Sequence, residues 1–227
     1  MEEDRMTLEE FTELSQGLRQ LAADVPLHWG GVQNNRSDSK INMFDIFTYD
    51  DLKRALSHLP EHDQQMQKRR WYLWQCARCD EFLFYHNGKS VHNPNRYDKS
   101  WDVRFVGGDE LEFDIKGTVV PRDMRANIED LINNPMPMIK FYYDKQSRGV
   151  RYDMQNRLFI VHHSFVEEAR EFYLRCAWQS KEEIYDKYAD EINNGKRTFE
   201  YKGCQADVIF ILERERNKVE YRFCYPQ

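Results

Sequence analysis

Residues 101–118, WDVRFVGGDELEFDIKGT, predict two short strands that fold back on each other at a pair of glycines. Side chains alternate between the two faces of a strand. In the second strand the apolar face consists of Leu111, Phe113 and Ile115, and the polar face consists of Glu112, Asp114, Lys116 and Thr118. The apolar face is expected to cover a core, whereas the polar face fits either a solvent surface or a site that uses carboxylates.

The length of the turn decides whether Asp102 joins this polar face, because a shift of one residue in strand pairing moves a side chain to the opposite face. A three-residue loop brings Asp102 opposite Asp114 or Lys116, whereas a two-residue turn places it on the other face. Loops of three residues commonly need a left-handed residue, which Gly107 or Gly108 can supply without strain.

Two carboxylates and an ammonium group brought together in this way have a definite chemistry. Mg²⁺ and Mn²⁺ are held by a few carboxylates and keep positions for water and a substrate phosphate. Such a metal polarises the phosphate and activates water, and the neighbouring Lys116 can orient that water or stabilise developing negative charge. The pattern therefore favours phosphodiester hydrolysis, and the alternative is a polar sheet face with ordinary cross-strand ion pairs.

The rest of the chain predicts further helices and strands around this hairpin. Helices are predicted at 5–23, 48–59, 60–79, 125–134, 138–146, 164–179 and 180–194, with serine N-caps at Ser164 and Ser180. Strands are predicted at 81–86, at a buried 157–163, and in a closing hairpin of 205–215 and 218–227 around Asn217, and 87–100 is predicted to be a loop. The fold class is therefore mixed α/β.

The order helix, three strands, helix, strand, with Asp102 before the turn and Asp114-x-Lys116 after it, resembles the PD-(D/E)xK nuclease superfamily. The resemblance covers residues 61–163 and implies a restriction-endonuclease-like core of order αβββαβ. It implies that Asp102 and Asp114 bind Mg²⁺ or Mn²⁺ together with the backbone carbonyl of Ile115, and that Lys116 is the catalytic lysine. It also implies that nucleic acid is the substrate, with DNA favoured over RNA.

Other residues are candidates for the same site on this resemblance. Many members take a further acid from the helix before the first strand, for which Glu61 or Asp63 is available. Gln146, Arg148 and Arg151 are candidates for binding backbone phosphates, with a solvated helix end as an equal alternative. For Tyr142 and Tyr143, a place in the core is favoured over stacking on bases.

Composition bounds the remaining possibilities. The chain of 227 residues is expected to form a single domain, 1–227, in which 1–60 is a helical addition, 61–163 the core and 164–227 a segment of helices and a closing hairpin. A net charge of -6 argues against a surface wrapped entirely in nucleic acid but permits a local basic groove. An acidic start and the lack of a long apolar run predict a cytoplasmic protein without membrane contact. A homodimer is plausible for an enzyme that cuts a duplex.

The sequence patterns that would support other functions are weaker than those that support a nuclease. The five cysteines have no framework spacing and are expected to be reduced, and Cys76 and Cys79 with His86 and His92 lack the usual spacing of a zinc site. The main alternative to an enzyme is a non-catalytic nucleic-acid-binding or assembly protein on the same fold. An interaction protein with an unrelated fold is a third, and it predicts that Asp102 lies far from Asp114.

Overall fold

The structure is a computed structural model that describes residues 5–27, 41–43, 46–95, 98, 100–107, 111–145 and 154–226. The helices in these ranges are α1 (Leu8–Leu21), α2 (Tyr49–Leu56), α3 (Glu61–Tyr85), α4 (Ile128–Asn133), α5 (Met136–Lys145), α6 (Arg170–Arg175) and α7 (Trp178–Asn193). The strands are β1 (Ser90–His92), β2 (Val103–Phe105), β3 (Glu112–Val119), β4 (Arg157–Ser164), β5 (Phe199–Tyr201), β6 (Cys204–Glu213) and β7 (Val219–Phe223). The prediction of a mixed α/β fold is confirmed. None of the helices in the described ranges has the length and apolar character needed to cross a membrane.

The strands form one mixed sheet in the order β1-β2-β3-β4-β6-β5, and β7 also pairs with β6. Strands β3, β4 and β6 run parallel to one another, and the other pairings are antiparallel. Every residue of β4 is buried, as expected for a strand whose two faces are both covered. The predicted closing hairpin is confirmed as β6 and β7, with Asn217 at a φ of 65° between them.

Helices cover the sheet on both faces. Leu158 and Ile160 of β4 pack on the face that contacts α1, α3 and α7, whereas Phe159 and Val161 pack on the face that contacts α4 and α5. Tyr142 and Tyr143 belong to the second core, which confirms the prediction for these two side chains.

Helix α3 is longer than the sequence predicts, because residues 80–85 continue the helix and the predicted strand at 81–86 does not form. The apolar run is typical of a strand, but it lies on a helix that is buried on several sides. Phe82 stacks on Phe11 of α1 at 4.7 Å between ring centroids, and Phe84 stacks on Tyr185 of α7 at 4.2 Å. Since α1 packs on one side of α3 and α7 packs on another, apolar residues at successive positions of α3 are all buried by a neighbouring helix.

The first strand of the sheet is instead β1, which lies in the segment predicted to be a loop. It pairs antiparallel with β2 through Ser90↔Phe105 and His92↔Val103. Only one of its three residues is apolar, and that residue, Val91, is exposed. Backbone pairing at the edge of the sheet therefore forms this strand without a hydrophobic pattern in the sequence. The order of elements is still helix, three strands, helices and strand.

Both predicted serine N-caps are wrong. Ser164 is the last residue of β4, and its Oγ donates to Glu213 at 2.8 Å while accepting from the backbone N–H of Val166 at 3.2 Å. The hydroxyl thus closes a turn, and α6 begins only at Arg170. Ser180 lies inside α7, which begins at Trp178.

Gly107 has a packing role and does not adopt the left-handed conformation, which the sequence allowed at either Gly107 or Gly108; Gly108 lies outside the described residues. Its N–H donates to Asn193 Oδ1 at 2.8 Å, and a Cβ at this position would lie 2.5 Å from the backbone oxygen of Asn193. We expect Gly107→Ala to lower the free energy of unfolding by about 2 kcal/mol, because backbone atoms at the end of α7 must move. Urea unfolding measures this, with the exposed neighbour Val106→Ala expected to change it by less than about 0.5 kcal/mol. Equal stability of the two variants would contradict the packing role.

Candidate active site

The hairpin of β2 and β3 has the register that places Asp102 with Asp114. Val103 pairs with Phe113 and Arg104 pairs with Glu112, which is the register that a loop at 107–109 predicts, and the side chains of Asp102 and Asp114 are close enough to interact. The three-residue-loop register is thus confirmed, although residues 108–110 of the turn lie outside the described residues. The pairing also excludes a wide separation of the two acids.

Asp102 is fixed through its backbone and its side chain. Its N–H donates to the Phe113 carbonyl at 2.8 Å, and its Oδ2 accepts from the N–H of Ile115 at 2.7 Å. The N–H and C=O of one strand residue point to the same edge of the strand. The carbonyl of Ile115 therefore faces the edge on which Asp102 lies, as a ligand shared with the two acids requires.

Asp114 is held by two cations. The Lys116 ammonium donates to Asp114 Oδ1, and Arg157 Nε lies 3.6 Å from Asp114 Oδ2. The Asp114 side chain is only 4% exposed, whereas that of Lys116 is 33% exposed. The guanidinium of Arg157 lies 4.8 Å from the ring centroid of Tyr143, which keeps it beside the carboxylate. Arg157 was not predicted from the sequence, since its only local signal is a cation at the start of a buried strand.

A third acid, Glu81, approaches from the last turns of α3. Its pKa is raised well above the usual value, first by burial and then by the negative charge of Asp102, while Lys116 and Arg78 oppose the rise. The negative charge of Asp114 adds a smaller contribution in the same direction. Glu81 is therefore close enough to sense both hairpin acids.

The acids predicted from the helix, Glu61 and Asp63, lie at its other end. Both are in the first turn of α3, and twenty residues at about 1.5 Å each put Glu61 roughly 30 Å along the axis from Glu81. Neither candidate therefore lies near the hairpin acids, and Glu81 was not considered because the predicted helix ended at residue 79. A helix continued through the apolar run would have indicated Glu81.

Asp102 carries a perturbed pKa of its own. The pKa of Asp102 is raised to about 6, mainly by burial and also by the charge of Asp114, whereas Lys116 and the N–H of Ile115 offset part of the rise. Desolvated carboxylates that repel one another favour a bound cation, because a cation replaces the lost hydration and cancels the repulsion. The electrostatics of this site thus fit a divalent metal.

The donor set is smaller than that of a preformed metal cage. No group of three His, Cys, Asp or Glu side chains in the described ranges is placed to hold a metal ion. Asp102, Asp114 and the Ile115 carbonyl would supply two carboxylates and one backbone oxygen, which suits Mg²⁺, since this ion keeps several waters. Binding would require Asp114 to exchange its contact with Lys116 for the metal.

The remaining predicted residues do not extend the site. Gln146, Arg148 and Arg151 lie outside the described residues. Glu112, on the polar face of β3, forms a cross-strand ion pair with Arg104 at 3.0 Å. Cys76 and Cys79 are buried thiols on α3.

The pKa of Asp102 gives a test that does not depend on activity. The pKa of Asp102 is higher in the folded protein than in the unfolded chain. The free energy of unfolding therefore falls as pH rises from about 4 to about 6, because the unfolded chain releases its proton first. At pH 8 the charged Asp102 costs about 2 to 3 kcal/mol, at about 1.4 kcal/mol per pKa unit. We expect metal-free Asp102→Asn to be more stable than the wild type by about 2 kcal/mol at pH 8 and nearly equal to it at pH 4.

Urea unfolding in EDTA at the two pH values measures this difference. Asparagine keeps an oxygen that can accept from the Ile115 N–H, so the variant changes charge more than shape. Glu112→Gln is the control, because this half-exposed ion pair should contribute less than about 1 kcal/mol. If Asp102→Asn is less stable than the wild type at pH 8, burial of the charged carboxylate does not destabilise the fold.

Comparisons of the chain with protein-family models, with curated proteins and with solved structures gave no match. The functional conclusion therefore rests on the site itself. Three carboxylates from α3, β2 and β3 meet there with Lys116 and Arg157, and two of these acids have raised pKa values.

Proposed function

We propose that the protein is a metal-dependent nuclease that hydrolyses phosphodiester bonds of nucleic acid, with DNA favoured by its resemblance to the PD-(D/E)xK superfamily. The observation that carries the proposal is the proximity of Asp102 to Asp114 across the β2–β3 hairpin, with the Ile115 N–H bound to Asp102 and Lys116 next to Asp114. The order α3, β1, β2, β3, α4, α5 and β4, in which β3 and β4 are parallel, also supports it.

Each residue has a defined role in this proposal. Asp102, Asp114 and the Ile115 carbonyl would hold Mg²⁺ or Mn²⁺, and Glu81 would bind one of the metal's waters. The metal, when bound, polarises the phosphate and lowers the pKa of a coordinated water. Lys116, released from Asp114, orients the attacking water and stabilises the negative charge that develops on the phosphate. Arg157 stays beside Asp114 and limits the net charge of the site.

One observation favours a non-catalytic protein on the same fold. Asp114 is already neutralised by Lys116 and Arg157, an arrangement that also stabilises a sheet without any metal. This alternative predicts that the site binds no divalent ion. Metal binding therefore separates the two functions.

The deciding experiment measures metal binding and cleavage on the same protein. Mn²⁺ should raise the melting temperature of the wild type, and this rise should be absent in Asp114→Asn. Labelled single-stranded DNA, duplex DNA and RNA should be tested for cleavage with Mg²⁺, Mn²⁺ or EDTA. Cleavage that needs the metal and is lost in Asp114→Asn supports the nuclease, and a folded protein that neither binds metal nor cuts supports the alternative.

Two acids of one helix provide a matched pair of variants. We expect Glu81→Gln to lower the rate of cleavage by about 10- to 100-fold, the usual effect of losing a group that orients a metal or its water. Glu61→Gln, a substitution of the same kind at the far end of α3, should leave the rate unchanged. Equal rates in the two variants would remove Glu81 from the site.

A further inference from the structure

A small pocket opens beside two of the proposed metal-site acids. It has a volume of about 230 Å³, and Glu81 and Asp102 form part of its wall. Pockets for drug-sized ligands usually measure about 300–1,000 Å³, so this one suits a smaller, flat group. A ligand in it would lie directly next to the atoms that act on the phosphate.

The rest of the wall combines aromatic rings with polar edges. Trp74, Tyr85 and Trp101 provide ring surface, and Asn95 provides an amide group, whereas the amide of Asn93 is bonded to Asp98 and to the Trp101 carbonyl. Unpaired bases are bound in proteins by stacking on aromatic side chains and by hydrogen bonds along their edges. The lining thus has the chemistry of a site for a nucleobase.

Cations complete this surface. The Arg78 guanidinium, which lines the pocket, lies 5.3 Å from the ring centroid of Trp74. That of Arg104 lies outside the lining, 4.8 Å from the ring centroid of Trp101, and is paired with Glu112 at 3.0 Å. Such guanidinium groups suit a phosphate that enters with the base. Arg78 therefore supplies a positive charge to a wall that also contains the acids Glu81, Asp98 and Asp102.

The pocket is tied to the backbone of Asp102. The Asn93 N–H donates to the Asp102 carbonyl at 3.0 Å, and its side-chain amide donates to the Trp101 carbonyl at 2.9 Å. The same side chain accepts from the N–H of Asn95 at 3.0 Å. These bonds fix the distance from the aromatic wall to the hairpin acids, which is what a site that positions one nucleotide needs.

From these observations we infer that the pocket takes one nucleotide with an unpaired base, so that the substrate is a single strand or a frayed strand end. The inference rests on the proposed function and names its substrate class. A base inside a duplex has both faces stacked, and moving it into the pocket costs a few kcal/mol of unstacking and unpairing. A single strand avoids most of that cost.

Binding can be measured without cleavage, using Lys116→Ala in Mg²⁺ and fluorescence anisotropy. The ligands are a short labelled single strand, the same strand annealed into a blunt duplex, and the same sugar-phosphate backbone with abasic positions. The single strand should bind about tenfold or more tightly than either of the others. The abasic strand keeps the phosphates, so its weaker binding isolates the contribution of the bases.

Trp74 is the residue to vary, with two substitutions that differ in ring surface. Trp74→Ala should weaken single-strand binding about tenfold, and Trp74→Phe should weaken it less than about threefold, because one base stacked on an aromatic ring contributes about 1 to 3 kcal/mol. A merely structural tryptophan would affect single-strand and abasic ligands equally. Circular dichroism confirms that each variant is folded.

The outcomes separate this inference from the proposed function. Duplex binding as tight as single-strand binding, no binding of any ligand, or no change in folded Trp74→Ala would overturn the nucleotide pocket. Metal-dependent cleavage in the wild type would still support the nuclease in those cases. Conversely, base-dependent binding without cleavage in the wild type would support the pocket and reject hydrolysis.

Discussion

Lys116→Ala is expected to lower the rate of metal-dependent cleavage by about 100- to 1,000-fold, the usual effect of removing one group that stabilises charge in the transition state. The ammonium lies next to Asp114 and is one-third exposed, so it can reach a bound phosphate. Metal binding should survive the substitution, because Asp102 and Asp114 both remain. The rate is measured with labelled DNA at saturating Mg²⁺.

The control is Lys202→Ala, which removes an exposed lysine paired with Asp144. Its rate should equal that of the wild type. If Lys116→Ala binds Mn²⁺ and also cuts at the wild-type rate, Lys116 has no part in the chemistry. If it loses metal binding as well, the lysine supports the fold of the site instead of acting on the substrate.

The second large effect concerns stability. Lys181→Met is expected to lower the free energy of unfolding by about 3 to 5 kcal/mol, because it leaves the buried carboxylate of Asp80 without its cation. Lys181 Nζ lies 2.7 Å from Asp80 Oδ1 and 2.9 Å from the carbonyl of Arg175, and both side chains are at most 1% exposed. The Tyr185 hydroxyl donates to the same carboxylate oxygen at 2.9 Å. This one hydrogen bond from a neutral group cannot compensate for the loss of the ammonium charge.

Two further variants test this explanation through urea unfolding. The double variant Asp80→Leu with Lys181→Met should be more stable than Lys181→Met alone, since both charges leave the core together. Lys89→Ala removes a lysine that pairs with Asp186 and Asp190 on the surface, and should cost less than about 1 kcal/mol. A double variant less stable than the single one would contradict the role of the unpaired charge.

The hairpin was predictable from sequence because its information is local. Alternation in residues 111–118 determines which side chains face the core, and the short turn restricts the register to a few alternatives. Helix α1 was predictable for a similar reason, since Thr7 and Glu10 form a capping box and Leu14, Leu18 and Leu21 face the core. In both cases the deciding contacts lie within a few residues of one another.

Glu81 was missed because its position depends on contacts distant in sequence. Residues 81–86 have the composition of a strand, and only Phe11 of α1 and Tyr185 of α7 make a helix the better structure there. Adjacent acids on that helix then have opposite surroundings, since Asp80 binds Lys181 in the core and Glu81 senses the hairpin acids. No pattern in the local sequence assigns these roles.

Local sequence patterns also could not predict which distant strands pair with each other. Arg157 meets Asp114 only because β4 lies parallel to β3, and β6 lies beside β4 only after α6, α7 and β5 have intervened. The predicted N-cap at Ser164 is wrong for the same reason, since its hydroxyl donates to Glu213 of the distant strand β6.

The sheet order has a consequence for the kinetics of folding. The β2–β3 hairpin closes a short loop, so Asp102 and Asp114 can meet early, on the microsecond scale of hairpin formation. Arg157 reaches Asp114 only when the chain has closed the much longer connection through α4 and α5, which is slower. We therefore expect a folding chain to pass through a stage in which the two acids depend on Lys116 alone for neutralisation, and acidic buffer or divalent ions should speed that stage.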